Sequence, residues 1–147
     1  MMNENLIKAK EIIELSDAVF AYVCGNERIV SSAKGIGFVA SLCNDKKDLS
    51  QGAAADKIVG KAAAMLFVLL GLKNVYAEII SEGAIEVFER YGVEYSFGTK
   101  TEAIINRKGD GLCPMEMAAK DAQTPEETLV AVNKKLEELR KKAASRS

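Results

Sequence analysis

The stretch VYAEIISEGAIEVFERYGVEYSF, residues 75–97, sets the expected fold of this chain. Residues 75–80 are a short run of mostly apolar, β-branched and aromatic side chains, which predicts a buried strand. A helix is expected from about 81 to 91, ended by Gly92, and residues 93–97 form the next predicted strand. A helix that joins two neighbouring strands implies a parallel pair, because a tight turn can join only antiparallel strands.

The flanking residues extend this pattern into an α/β chain. Residues 53–70 are rich in alanine and apolar on almost all sides after Lys61, which predicts a central buried helix ended by Gly71. Residues 102–106 are expected to form a further strand or an extended edge. The other predicted elements are a helix over 4–15, a hairpin of strands 18–24 and 28–31, a short helix over 38–42, a helix opening at Cys113-Pro114 and a C-terminal helix over about 125–145.

The composition is that of an ordinary globular protein. The sequence has 147 residues, 48% of them hydrophobic, so a single domain is expected, with its core over about 18–120. Twenty basic and 21 acidic side chains give a net charge of −1, which argues against nucleic acid as a partner. The longest apolar run, 62–72, is shorter than the ~20 residues of a membrane-spanning helix, so no membrane association and a cytoplasmic location are expected.

Histidine is absent, and the cysteines are Cys24, Cys43 and Cys113. Without histidine the chain cannot form Ser-His-Asp or Cys-His catalytic groups, or most catalytic zinc sites. The cysteines are far apart and show no CxxC spacing, which is typical of reduced cytosolic thiols. The sequence therefore predicts neither a bound metal nor a cofactor.

Lys57 and Lys61 form the first candidate site, together with Asp56. On the predicted helix over 53–70 the two lysines lie one turn apart on one face, near the end that disfavours cations. A pocket for an anionic group would explain both lysines. The other interpretation is a solvated helix edge on which Asp56 is their partner.

Two further segments have the composition of anion-binding turns. Ser81 lies between a predicted strand and a predicted helix, where backbone N–H groups are presented to ligands. It can equally be a plain helix N-cap. Lys34 precedes Gly35-Ile36-Gly37 in a segment suited to cradling phosphate, although a hairpin exit that requires positive φ also explains the glycines.

A further candidate site contains Asn106, Arg107, Cys113 and Glu116. A thiol at the start of a helix ionises more readily, so Cys113 is the strongest candidate for a nucleophile. Glu116 can cap that helix end or act as a base. The opposing interpretation is a buried structural cysteine with a capping glutamate.

The ordered motifs SAKGIG, ADKIVGKAAA, VYAEIIS, INR and CPMEMA resemble the DUF1893 group, a family of small uncharacterised bacterial proteins placed in the cytidine deaminase-like fold. The resemblance covers about residues 18–120 and implies a three-layer α/β/α architecture with a mixed sheet. It also implies that the two helices that carry the zinc motifs in true deaminases open at 55–57 and near Ser81. Neither position has a cysteine or histidine, so the zinc ligands and the catalytic glutamate of a deaminase are missing.

The sequence thus favours a zinc-free protein of deaminase-like fold that binds a small anionic or nucleotide-like ligand. The residues expected to bind it are Lys57, Lys61, Ser81, Lys34, Asn106 and Arg107. One alternative is an enzyme of unknown reaction, with Cys113 as nucleophile and Asp56 or Glu116 as acid or base. Another is an interaction module whose C-terminal helix mediates homo-oligomerisation.

Overall fold

The structure, a computed structural model, describes residues 3–106, 108–109 and 111–145. Its strands are β1 (Phe20–Cys24), β2 (Glu27–Ser31), β3 (Ala53–Val59), β4 (Asn74–Ser81) and β5 (Glu94–Thr101). They form one sheet in the order β2-β1-β3-β4-β5. β1 is antiparallel to β2 and β3, whereas β3, β4 and β5 run parallel. The chain therefore has a mixed five-stranded sheet, in agreement with the predicted α/β class.

Helices flank this sheet on both faces. They are α1 (Glu4–Leu15), α2 (Gly37–Asn44), α3 (Lys61–Leu69), α4 (Glu82–Tyr91), α5 (Pro114–Ala118) and α6 (Pro125–Ser145). On one face, Leu6 and Ile13 of α1 pack against Ala21 and Ala55 of the sheet. On the other face, α2, α3, α4 and α6 enclose the larger core. None of the described helices is long and apolar enough to cross a membrane.

Residues 53–70 are not the single helix that the sequence predicted. Ala53–Val59 is the central strand β3, Gly60 has an extended backbone (φ −101°, ψ −176°), and Lys61–Leu69 alone is helical. Alanine favours a helix over other residues by less than about 1 kcal/mol per residue. Pairing of β3 with β1 on one side and β4 on the other outweighs this preference. The prediction also ignored Gly60, which interrupts the apolar pattern where the strand ends.

The crossover from β4 through α4 to β5 is confirmed. Ser81 is the N-cap of α4, and Gly92 ends it in the left-handed region at φ +70°, which glycine adopts without strain. β5 then runs beside β4, starting with Glu94 opposite Asn74. This connection places the start of α4 at the same edge of the sheet as the start of α3.

The segment after β5 departs from the prediction at one point. Residues 102–106 form no strand; Ile105 makes an isolated antiparallel bridge with Leu112. Pro114 is the first residue of α5 and Cys113 its N-cap, as predicted. The hydroxyl of Thr124 accepts a hydrogen bond from the N–H of Glu127 at 3.1 Å, which caps α6. α6 packs on α3, α2 and α5.

Candidate functional site

The starts of α3 and α4 lie side by side at the carboxyl ends of β3 and β4. These strands are parallel neighbours, and each is followed almost at once by its helix. A Cβ atom added to Gly83, in the first turn of α4, would lie 3.4 Å from the Cβ of Lys61, the first residue of α3. Two sets of helix N-terminal N–H groups therefore meet at the sheet edge where open α/β proteins bind ligands.

The carboxylate of Glu116 occupies the start of α3. Its Oε1 accepts the N–H of Lys61 at 2.8 Å, and its Oε2 accepts the N–H of Ala62 at 2.9 Å. These N–H groups have no partner inside the helix, and Gly60 has no side chain with which to cap them. A carboxylate is favoured there by hydrogen bonding and by the positive end of the helix dipole.

Gly60 is required for this contact. A Cβ atom at position 60 would overlap Oε1 of Glu116 and would lie 2.9 Å from Cγ1 of Ile104. Any other residue would have to displace the glutamate. The close approach of the carboxylate to the backbone therefore explains why a glycine stands between β3 and α3.

Lys61 binds the segment that carries Glu116. Its Nζ donates to the carbonyl oxygens of Lys120 at 3.0 Å and Ala122 at 2.9 Å, and more weakly to that of Ala119 at 3.5 Å. Ala119 is the C-cap of α5, where carbonyl groups lack helical partners and attract a cation. Glu116 thus caps the start of α3 while Lys61 of α3 caps the end of α5.

Glu116 at the start of α3 and Lys61 at the end of α5 together form a clamp between the two helices. The sequence did not predict this clamp. It placed Glu116 near its own helix end or as a base for Cys113, but both carboxylate oxygens are engaged at α3. The signal that could have pointed to it is the uncapped start of α3 at Gly60-Lys61, since an uncapped helix start needs an acceptor from elsewhere.

A small cavity lies next to the clamp, between α3, α4 and the turn that precedes α6. It measures about 140 Å³. Its lining residues are Lys61, Met65, Gly83, Glu86, Val87, Arg90, Ala122 and Gln123. Two basic side chains and one acidic side chain border it, together with the apolar Met65 and Val87. The cavity can take a ligand group of a few heavy atoms.

Asp56 and Lys57 lie on β3, which overturns the helical arrangement expected for them. Lys57 is therefore not one helical turn from Lys61, and the two lysines do not form a face of one helix. Asp56 is only 7% exposed, and its Oδ1 accepts the N–H of Ile58 at 3.2 Å. Burial raises the pKa of Asp56 to about 7, although hydrogen bonds from the backbone of Ile58 and Lys57 oppose this rise.

Ser81 and Lys34 have different surroundings. Ser81 is buried, and its Oγ accepts the N–H of Ala84 at 3.1 Å, so the N-cap interpretation is confirmed. Lys34 is exposed in the segment between β2 and α2. Gly35 beside it has φ +90°, the positive value that the hairpin-exit interpretation required. Within the part of the chain that the structure describes, no hydrogen bond joins Lys34 to the starts of α3 and α4.

Asn106 and Cys113 belong to a hairpin-like excursion before α5. The N–H of Asn106 donates to Gly111 O at 2.8 Å, and the N–H of Cys113 donates to Ile104 O at 2.9 Å. This folding brings Ile104 and Glu116 together over Gly60. Arg107, predicted to bind a ligand, lies outside the described residues.

The three candidate catalytic groups have different surroundings. Cys113 is half-buried at the start of α5, a helix of five residues. Glu116 is held at α3, and Asp56 is buried in the sheet. Cys43 is buried in α2, and burial raises the pKa of its thiol to about 12. Nucleophilic catalysis by Cys113 therefore remains a prediction.

The residues at the two helix starts differ from those of a zinc site. Within residues 3–106, 108–109 and 111–145, no three His, Cys, Asp or Glu side chains lie together in a way that could hold a metal ion. The first turns of α3 and α4 supply Lys61, Ala62, Glu82 and Gly83 instead of thiolates or imidazoles. This donor set does not fit the nitrogen and sulfur ligands that zinc prefers.

The chain is similar to the proteins of one family, including a protein of known structure. The sequence model of the family described as a domain of unknown function (DUF1893) matches residues 8–136. The crystal structure of a DUF1893 family protein (TM1506) from Thermotoga maritima is similar to this chain, with a TM-score of 0.83 and 28% sequence identity. The alignment covers 92% of each chain. No curated protein matches the sequence.

Proposed function

We propose that this chain, which belongs to the DUF1893 family of domains of unknown function, binds a small anionic ligand at the start of α3. In this proposal the ligand takes the place of the Glu116 carboxylate. The scaffold in this proposal is a deaminase-like fold without zinc. The observation that carries the proposal is the carboxylate of Glu116 held by two backbone N–H groups over Gly60.

The arrangement of α3 and α4 supports the deaminase-like part of the proposal. Zinc deaminases carry the signature H-x-E followed by P-C-x-x-C. By the resemblance, each half of this signature opens a helix that follows a strand. Here the two helices that follow the adjacent parallel strands β3 and β4 open at Lys61 and Glu82. The counterpart of the first motif is then Lys61-Ala62-Ala63 rather than the residues around Asp56.

The residues at these positions do not support deamination. Hydrolytic deamination needs a zinc-bound water and a glutamate that moves protons. The helix starts offer neither cysteine nor histidine, and the Glu116 carboxylate bonded to the start of α3 already accepts two N–H groups. These residues fit the binding of an anion and do not fit hydrolytic deamination.

A ligand carboxylate or phosphate can use the same donors if Glu116 withdraws. The N–H groups of Lys61 and Ala62 are spaced to receive two oxygens of one anion, and the helix dipole favours negative charge there. The adjacent cavity of about 140 Å³ offers space for the rest of a small ligand. Among the described residues, neither Lys57 nor Lys34 makes a hydrogen bond to this position. The proposed ligand site therefore contains fewer residues than the sequence predicted.

Removal of the Glu116 carboxylate tests the proposal. In Glu116→Ala two N–H groups lose their acceptor, and we expect a loss of about 1–2 kcal/mol in the free energy of unfolding. Formate, acetate or inorganic phosphate should restore that stability, measured by thermal shift at matched ionic strength with chloride. The comparison of formate and acetate with phosphate shows whether carboxylate or phosphate is preferred.

Two variants serve as controls. Glu116→Gln keeps a side chain over Gly60, so its stability should respond less to added anions. Glu82→Ala removes an exposed carboxylate from the first turn of α4, and should show no specific response. If anions stabilise Glu116→Ala no more than Glu82→Ala, Glu116 is a structural cap and the ligand proposal is wrong.

A further inference from the structure

β5 forms an open edge of the sheet. It is bonded to β4 on one side and is the last strand in the sheet order. Its eight residues include an exposed run over 97–100, and Phe97 is 40% exposed. An edge strand presents unpaired N–H and C=O groups that can bind another strand, and natural proteins usually protect such an edge.

The sequence of β5 is complementary to itself. In an antiparallel pairing of two copies centred on Phe97, Glu94 of each copy lies opposite Lys100 of the other. The two Phe97 side chains meet at the centre. Opposite charges and paired aromatic side chains in facing positions both stabilise strand pairing.

The aromatic side chains at this centre are already ordered within one copy. The rings of Tyr95 and Phe97 are stacked with their centroids 6.4 Å apart, and Tyr95 in turn stacks on Phe88 of α4 at 5.8 Å. The exposed Phe97 ring is therefore held in place before any partner arrives. A preordered aromatic group loses little conformational freedom when it is covered.

The opposite edge of the sheet lacks these properties. β2 has five residues, and pairing of two copies centred on Ile29 would place Glu27 opposite Ser31 and Arg28 opposite Val30. No opposite charges would meet. The guanidinium of Arg28 also donates to the carbonyl oxygens of Gly25 and Glu27 in its own chain.

We propose that two copies of this chain associate through β5 in an antiparallel arrangement, joining their sheets into one continuous sheet across a twofold axis. The interface is isologous, so each complementary contact between Glu94 and Lys100 occurs twice. This surface is separate from the contacts of Glu116 at the start of α3. The association is independent of the ligand proposed for that site.

Charge reversal on the full chain tests the pairing. Analytical ultracentrifugation should show a dimer for the wild type. Glu94→Lys and Lys100→Glu each place like charges opposite one another twice, and each should raise the dimer dissociation constant about tenfold or more. The double variant restores opposite charges and should return the dissociation constant to near the wild-type value.

Controls separate this interface from loss of folding. Glu94 also accepts a hydrogen bond from Asn74 in its own chain at 3.3 Å, so circular dichroism and the melting temperature should be recorded for every variant. Val30→Lys alters an exposed position of β2 and should leave the dimer intact. A monomeric wild type, a double variant no tighter than the single ones, or a loss of dimer in Val30→Lys would each overturn the proposal.

Discussion

The buried carboxyl group of Asp56 allows a direct test of how burial of an ionisable group affects the stability of this sheet. Its carboxyl group is 7% exposed in the central strand, and it forms no salt bridge among the described residues. Asp56→Asn keeps the shape of the side chain and the oxygen that accepts the N–H of Ile58, but it cannot ionise. We expect this variant to be more stable than the wild type at high pH and to lose that advantage at low pH.

The magnitude follows from the pKa of the group. Burial raises the pKa of Asp56 from 3.8 to about 7, and this difference corresponds to an ionisation penalty of about 4 kcal/mol above neutral pH. The folded chain holds the proton more tightly than the unfolded chain. The stabilising effect of the raised pKa is therefore complete below the unfolded value and is lost as the pH rises through about 7.

The substitution has a cost of its own. The amide that replaces the Asp56 carboxyl group introduces a buried N–H₂ group, and an unsatisfied buried donor costs about 1–3 kcal/mol. This cost does not depend on pH, whereas the ionisation penalty does. The stability of Asp56→Asn relative to the wild type should therefore increase by about 2–3 kcal/mol between about pH 5 and about pH 8.

Urea unfolding followed by circular dichroism at several pH values measures this difference. Asp48→Asn is the matched control, because Asp48 is an exposed aspartate whose pKa is lowered by hydrogen bonds from Ser50. That control removes a group that stabilises the fold above its unfolded pKa, so it should gain nothing as the pH rises. If Asp56→Asn differs from the wild type by the same amount at every pH, Asp56 does not titrate in the folded chain and the reasoning is refuted.

Two further predictions concern Lys61 and the cysteines. Lys61→Met removes an ammonium group that donates to carbonyl oxygens at the end of α5. We expect the free energy of unfolding, measured by chemical denaturation, to fall by about 1–3 kcal/mol. Lys120→Met, at an exposed position, should have little effect. A Lys61→Met variant as stable as the wild type would show that this contact contributes nothing. Iodoacetamide at neutral pH should modify the half-buried Cys113 before the buried Cys43, whose thiol has its pKa raised by burial to about 12. Mass spectrometry of the labelled peptides checks this order, and labelling of Cys113 only after denaturation would exclude a role for it as nucleophile.

Local sequence patterns predicted an element correctly where residues close in sequence hydrogen-bond the N–H and C=O groups at its ends. Helix α1 begins and ends as its apolar spacing predicts, over Glu4–Leu15. The crossover through α4 is marked by Ser81 and Gly92, which cap and end the helix by contacts within a few residues. The same holds for Pro114, the first residue of α5. These signals depend on neighbouring residues, so they can be recognised without knowledge of the tertiary structure.

The pattern over 53–70 was misleading because its outcome depends on distant strands. Its alanines favour a helix in isolation, but Ala53–Val59 lies between β1 and β4, where both sides of the backbone are hydrogen-bonded. The misplacement carried over to the candidate site. Lys57 and Lys61 were assigned to one helix face, and Asp56 to a helix start rather than to a buried strand.

The sequence alone therefore determined the α/β class, the family, and the absence of the histidines and paired cysteines of a zinc deaminase. Only the tertiary structure decided what stands at the start of α3. Glu116 and Lys61 are 55 positions apart, and their contact exists because the hairpin before α5 folds back over Gly60. Capping by a nearby residue leaves a signature in the sequence, because both groups lie in one turn of the chain. When a distant carboxylate caps a helix, the sequence shows only a glycine at the helix start and a glutamate far along the chain. The contact between them depends on how the intervening strands and helices pack.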